Sequence, residues 1–479
     1  MTGLGVPNTL VDAQAALRSR RWSVEGLTDW CLTRAAELAP FNGFLDIERD
    51  LAMRSAERVG VALRAALVET PPQPVPGLTG IPLAHKDLFY RPDRAPGCAS
   101  RVIPPPHPGL EATVLSRLRL AGAIDLGPLN LSEMAYGPTG HNAFTGAARN
   151  PWNADHATGG SSSGSAVAVA GGAAFGSLGS DSGGSIRTPA SWCGLSALKP
   201  SRGGLSLAGT MPLAPDLDSI GLMARSARDL VELYTCLSGP DKADPRTLGA
   251  RAWDADGYAR AQLAPVRLAI VDEWFHEQLS LDVAAGLDRA RSVWATALGA
   301  RVVSAQWPDL GLLVRYAGLV MAWQAWHTHA PLFERQDGLY TPNVRARLLR
   351  GADIADAEYR EAHDAIPRHA QTALDRVFRH ADVLLLPCNP TAAPRLDASD
   401  VGASPAMMVQ VDAITRCLRP FNYLGFPALV LPCGISTDGL PFGFQLVGRP
   451  GEEARLLALG VRWQGVTDWH RLHPPGLEM

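Results

Sequence analysis

The chain has 479 residues, 46% of them hydrophobic and 19% charged, which supplies material for a large core and excludes a wholly disordered protein. Its formal net charge of −3 leaves no electrostatic footprint for nucleic acid or an anionic membrane. Its seven cysteines are far apart and form no Cys-x-x-Cys pair, which argues for a reducing compartment and against a disulfide frame or a zinc site.

Met1 to Arg18 has no early basic cluster and no long apolar run. Neither a signal peptide nor a span of about 20 apolar residues is expected, and a cytoplasmic location is the default. Apolar residues at three and four spacing predict helices over Val11–Leu17, Leu27–Leu38 and Leu51–Leu67. A Pro-rich loop follows at Thr70–Pro76, then a strand-like run from Ile81 that ends in Leu83-Ala84-His85-Lys86-Asp87. A second Pro-rich loop covers Pro104–Pro108, with a helix over Thr113–Ala121 and a short strand at Ala123–Leu126. Further on, Val266–Val271 reads as a strand and Leu281–Leu298 as a helix. Trp307–Leu349 and Ile354–His380 read as mostly helical, and Asp382–Leu386 as a buried strand stopped at Pro387. Ala428–Leu431 and Phe442–Val447, joined through Asp438-Gly439, predict a β-hairpin. No repeat and no polar linker divides the chain. The economical reading is one large α/β domain, a mixed central β-sheet covered by helices on both faces.

Glycine clusters between Gly159 and Gly204, where two segments stand out. The first is Thr158-Gly159-Gly160-Ser161-Ser162-Ser163-Gly164-Ser165, followed by small residues that suit a buried helix whose N-terminus offers N–H groups near Ser161. In the second, Gly179-Ser180-Asp181-Ser182-Gly183-Gly184-Ser185-Ile186-Arg187, two glycines before Ser185 let consecutive N–H groups converge on one point. That is what an oxyanion hole requires in acyl transfer. A serine hydroxyl is a weak nucleophile without a base, and a lysine serves as one when burial keeps it neutral. Lys86 ends a strand-like run, which points it toward the interior.

These segments resemble the motifs of the amidase signature family. The lysine stretch Gly80-Ile81-Pro82-Leu83-Ala84-His85-Lys86-Asp87 is similar to the family's lysine motif. Both Gly/Ser segments match in order, through Leu198-Lys199-Pro200, as do Leu129 to Met134, Asn150 to Asn153, Asn422 to Pro427 and Asp438 to Gln445. The resemblance covers nearly the whole chain and implies a Ser–cisSer–Lys triad. Ser185 would be the nucleophile and Lys86 the base. Ser161, on a cis peptide after Gly160, would bridge them by hydrogen bonds. The N–H groups of Ser182, Gly183, Gly184 and Ser185 would hold the oxyanion, with Asp181 and Arg187 as structural support and Met134 and Tyr136 on a substrate-side loop. No metal and no cofactor is implied. The chain would divide into a helical N-terminal segment of about 1–70, the signature core at about 80–235, and a part at about 236–479 that completes the sheet and covers the pocket. One departure is that serines stand at positions 182 and 163, where the family often has a larger residue and a second glycine.

Other readings of the same residues fail on context. Gly160-Ser161-Ser162-Ser163-Gly164 satisfies the Gly-x-Ser-x-Gly elbow, but the polar residues before it are not the hydrophobic strand that elbow needs. Ser196-Ala197-Leu198-Lys199 fits Ser-x-x-Lys, but Pro200 prevents a helix from continuing. His327 and His329, two apart on a helix, face different sides and are assigned no metal. Trp323 and Trp326 are read first as core, with an acyl pocket as the alternative. The leading functional expectation is a stand-alone amidohydrolase that releases ammonia or an amine through an acyl-enzyme. Its partner would be a small-molecule amide substrate, with no nucleic acid, no membrane and a possible homodimer. The alternative is the glutaminase component of a tRNA-dependent amidotransferase, although Ser201-Arg202-Gly203-Gly204-Leu205-Ser206-Leu207 lacks the Tyr-Gly-Arg associated with it.

Overall fold

The computed structural model describes residues 5–69, 73–250, 252–271 and 273–478. Residues 70–72 of the Pro-rich loop expected at Thr70–Pro76, and residues 1–4 of the stretch read for targeting, lie outside the described residues.

The three expected N-terminal helices run over Leu10–Arg18, Val24–Glu37 and Arg49–Val68. The first begins in a capping box: the Thr9 hydroxyl accepts from the Asp12 N–H while the Asp12 carboxylate accepts from the Thr9 N–H. The strands are β1 (Pro82–Lys86), β2 (Ile124–Leu129), β3 (Arg149–Asn150), β4 (Asn153–Ala157), β5 (Gly176–Ser180), β6 (Ser196–Lys199), β7 (Ile220–Ala224), β8 (Arg267–Ile270), β9 (Arg301–Ser304), β10 (Val383–Pro387), β11 (Ala428–Ile435) and β12 (Pro441–Val447). Ten of them form one sheet in the order β2-β1-β5-β7-β6-β11-β12-β10-β8-β9, and β3 and β4 pair apart from it. The sheet is mixed. β1 is parallel to β2 and β5, the central pairings are antiparallel, and β10, β8 and β9 are parallel.

Both faces of this sheet are buried, as the two-residue period of a strand shows. In β10, Val383 and Leu385 join one apolar cluster and Leu384 and Leu386 join another. Leu268 and Ala269 of β8 divide in the same way. The first cluster includes the N-terminal helices, Trp294 and Trp463; the second is built on Phe275, Phe378, Phe421 and Tyr423. The chain is one large α/β domain with a mixed central sheet and helices on its two faces. The hairpin expected near the C-terminus is β11–β12, closed by Ser436 to Leu440 with Gly439 at φ +77°. Ser196–Lys199, the Ser-x-x-Lys match, is strand β6. Among the described residues, no helix is long and apolar enough to cross a membrane.

The helix Ser163–Ala170 runs behind the sheet, and all eight of its residues are buried. Its small side chains let other backbone come within contact distance. A Cβ at Gly164 would collide with the carbonyl oxygens of Gly43 and Asn130 and with the Asn130 amide nitrogen. Backbone on both sides cannot give way as a flexible side chain would. Gly164→Ala is therefore expected to lower stability by about 3 kcal/mol, measured by denaturant unfolding. A wild-type midpoint in that variant would show that the helix is free to shift.

Candidate active site

Lys86 is the last residue of β1. Strand alternation sends its neighbour His85 to the opposite face, where the ring pairs with Asp125 at 3.0 Å. The Lys86 chain turns inward and is fully buried. Its amine lies within hydrogen-bond distance of two hydroxyls, Ser161 Oγ at 2.6 Å and Ser180 Oγ at 2.8 Å. Burial pushes the amine down to about 7, against the pull of Cys98, Asp181 and Asp218. Burial also raises the Cys98 thiol well above its ordinary range, which keeps that group protonated and its pull weak.

Ser161 follows a cis peptide bond from Gly160. Its carbonyl accepts from the Ser132 N–H at 3.1 Å, and the Gly160 N–H donates to Pro138 O at 2.8 Å. The two Gly/Ser segments are joined through main chain, with Ser162 N–H donating to Ser185 O at 3.1 Å. Ser185 is half-buried. Its hydroxyl has no hydrogen-bond partner among the described residues, Ser161 included. The structure therefore holds the Lys86–Ser161 half of the chain of hydrogen bonds that the resemblance implies, and the Ser161–Ser185 half is unmade.

The loop from Asp181 to Arg187 wraps a buried ion pair. The Arg187 guanidinium contacts both Asp181 oxygens, at 3.0 Å from Nε and 2.9 Å from Nη2. It also donates to Leu418 O, Gln445 Oε1 and Asn422 Oδ1. Burial alone would raise the Asp181 carboxyl, but Arg187, with help from Lys199 and Asn422, holds it at about 2. Asp181 also accepts from the N–H groups of Gly184, at 2.8 Å, and Ile186, at 3.3 Å.

That geometry corrects one expectation. The Gly184 N–H does not join the other donors, because it is turned to the Asp181 carboxylate. The N–H groups of Ser182, Gly183 and Ser185 have no partner among the described residues and remain free to receive a charged oxygen. The Ser182 hydroxyl donates to Asp218 Oδ1. The second Asp218 oxygen accepts from Leu213 N–H at 2.9 Å and Ala214 N–H at 3.1 Å. A Cβ at Gly183 would lie 3.5 Å from Met321 Cε, so Met321 flanks this loop.

Met134 is buried in a left-handed turn at φ +50°, its N–H donating to Cys98 O at 3.0 Å. Tyr136 lines a cavity of about 170 Å³ together with Ser132, Gly137, Arg347 and Val411. The Arg347 guanidinium lies 3.7 Å over the Tyr136 ring. Met134 and Ser185 do not line that cavity. Trp323 is stacked between His327 and Tyr359, and Trp326 packs on Phe333. Neither tryptophan lines that cavity. No group of histidine, cysteine or acidic residues that could hold a metal occurs among the described residues.

Sequence reasoning missed Ser180, Asp218 and Met321. Ser180 stands inside a motif already quoted, and its signal was adjacency: β5 lies beside β1 and ends level with Lys86. Asp218 and Met321 carry no local signal.

The Amidase family model matches residues 27–457. A glutamyl-tRNA(Gln) amidotransferase subunit of Nitrosococcus oceani is 32% identical over 98% of this chain and 99% of its own length. The protein of the same name from Roseiflexus castenholzii is 34% identical over 97% of each chain. A solved amidase structure superposes with a TM-score of 0.83 at 30% identity, covering 95% of this chain and 99% of its own. These full-length relatives overturn the leading expectation of a stand-alone amidohydrolase with a small-molecule amide substrate and no nucleic acid. Two arguments had favoured it. The missing Tyr-Gly-Arg concerns the stretch Ser201–Leu207, whose first four residues line a separate cavity with Arg246 and Glu453. The net charge of one component does not report on the surface of an assembly. With its family model, its relatives and its fold in agreement, the chain belongs to the amidase signature family, enzymes that act on the carbon–nitrogen bonds of amides.

Proposed function

We propose that this chain is the ammonia-releasing component of a tRNA-dependent amidotransferase, taking nitrogen from the side-chain carboxamide of glutamine. Its similarity to glutamyl-tRNA(Gln) amidotransferase subunits over nearly the whole of both chains supports this reading best. The chemistry rests on the buried Lys86 amine at 2.6 Å from Ser161 Oγ.

A neutral Lys86 takes the Ser161 hydroxyl proton as Ser161 takes that of Ser185. Ser185 closes on Ser161 when substrate fills the site, as such hydrogen bonds often tighten only in the reacting complex. The freed Ser185 oxygen bonds to the amide carbon, and the carbonyl oxygen gains charge facing the free N–H groups of Ser182, Gly183 and Ser185. When the carbon–nitrogen bond breaks, the proton returns along the same path to the leaving nitrogen, which departs as ammonia. Water then attacks the acyl-enzyme through the same relay and releases the acid.

Protonated Lys86 has no lone pair to accept with. Ammonia release from L-glutamine is therefore expected to rise with pH and level off above about 7, where burial places the amine. Below that point it falls by about tenfold per pH unit. The functional test adds glutamyl-tRNA(Gln) and the remaining components of such an amidotransferase, and measures glutaminyl-tRNA. Ammonia release with no transfer in the reconstituted mixture overturns the amidotransferase reading.

A further inference from the structure

We propose that Ser180 is a positioning residue for Lys86, its hydroxyl accepting one Nζ–H so that the amine lone pair faces Ser161. This rests on the reading of Lys86 as the base. A neutral amine carries two N–H bonds and one lone pair, and only the lone pair can take the Ser161 proton. A lysine side chain turns freely about its last bond, so a base held by Ser161 alone would present an N–H to it as readily as the lone pair. A second partner at a fixed direction removes that freedom.

Ser180 is built to be that partner. It is the last residue of β5, the strand parallel to β1 and next to it, with Ala84 opposite Ser177 and His85 opposite Leu178. That pairing brings Ser180 to the end of the sheet where Lys86 closes β1. Its main chain is held on the other edge by β7, opposite Ile220. Ser162 fixes it further, since Ser162 Oγ donates to Ser180 O at 3.3 Å and accepts from Ser180 N–H at 3.4 Å. Ser162 is the residue after Ser161, so one short segment places both of the lysine's partners. No other acceptor of the Lys86 amine occurs among the described residues.

The same contact bears on proton affinity. A hydroxyl that accepts from an ammonium stabilises it more than it stabilises the neutral amine, so removing the hydroxyl shifts the acid limb of the activity profile to lower pH. The titratable groups facing Lys86 are Cys98 from the loop after β1, Asp181 beyond β5 and Asp218 before β7. All three persist in a Ser180 variant.

The test is the rate of Ser185 labelling by a fluorophosphonate, with ammonia release from L-glutamine, each followed against pH. Ser180→Ala is expected to lower the plateau rate by about 10- to 100-fold with KM unchanged, and to move the acid limb downward. Ser180→Thr, which restores the hydroxyl, recovers most of the rate. Ser177→Ala is the control. It loses a buried hydroxyl on the same strand, bonded to Ser165 at 2.9 Å, and keeps the wild-type plateau and limb whatever its thermal midpoint. A Ser180→Ala protein with wild-type plateau and limb overturns the proposal. So does a limb that moves upward, which would mean that the Ser180 O–H had been donating to the lone pair. Wild-type protein that takes no label at Ser185 fails at an earlier point, the reading of Ser185 and Lys86 themselves, and is distinguished by the silence of every variant.

Discussion

Ser185→Ala is expected to abolish turnover, lowering ammonia release from L-glutamine by on the order of 10⁴-fold or more while leaving the thermal midpoint near that of the wild type. The two halves of this expectation come from the same observation. The Ser185 hydroxyl is half-buried and makes no hydrogen bond among the described residues, so its removal costs the fold nothing of that kind. Every covalent step of the proposed reaction passes through the oxygen that is lost. The free N–H groups of Ser182 and Gly183 survive in the variant and can still polarise a bound carbonyl, which leaves a small residual rate. Titration with a fluorophosphonate checks the same point without a substrate, since label in the wild type and none in Ser185→Ala locates the reactive oxygen. Turnover near the wild-type rate in the variant would sink the assignment.

Arg187→Met is expected to have the opposite profile, a large loss of stability. The guanidinium is fully buried, as is the Asp181 carboxylate it holds. Removing one partner of a buried pair leaves an uncompensated charge and costs about 3–5 kcal/mol. The pH dependence has a definite sign. In the wild type the Asp181 carboxyl titrates at about 2, below its ordinary 3.8. It therefore contributes stability above that ordinary value, which is lost as pH falls toward about 2. Without Arg187 that contribution disappears, so the gap between variant and wild type is widest near neutrality and narrows through this acid window. Denaturant unfolding at several pH values measures it. A gap independent of pH would mean that the loss comes from packing alone. Arg187→Lys is not expected to rescue, because an ammonium cannot contact both carboxylate oxygens while also reaching Leu418 O, Asn422 and Gln445.

Some of this architecture is legible in local pattern. The amphipathic spacing of the first three helices, the apolar run at Val383 and the Asp-Gly turn near the C-terminus each obey a short-range rule that needs no partner. The central strands do not. Gly176–Ser180 contains glycine, serine and a single leucine, without the branched residues that mark a strand, and it is a strand because β1 and β7 flank it. Ser196–Lys199 is shorter still, and its pairing with β7 and β11 defines it. In a sheet buried on both faces the alternation of polar and apolar residues is absent, so the usual signal is lost where the sheet is best packed.

The site divides along the same line. Lys86, Ser161 and Ser185 each sit in a dense motif whose glycines and serines have few other uses, and the structure brings the first two into contact. Gly184 was misread because a glycine-rich loop shows that N–H groups can converge, and says nothing of which one a nearby carboxylate will claim. Ser180, Asp218 and Met321 act across gaps in the chain, Met321 from a helix far downstream of the loop it flanks. The order of residues by itself determined the candidate residue types, the helix and turn signals and the family, because these depend on neighbours along the backbone. Which hydroxyls meet the lysine, which donors stay free and which cavity lies beside Tyr136 were decided only by the tertiary structure, because hydrogen bonds and burial depend on distance through space.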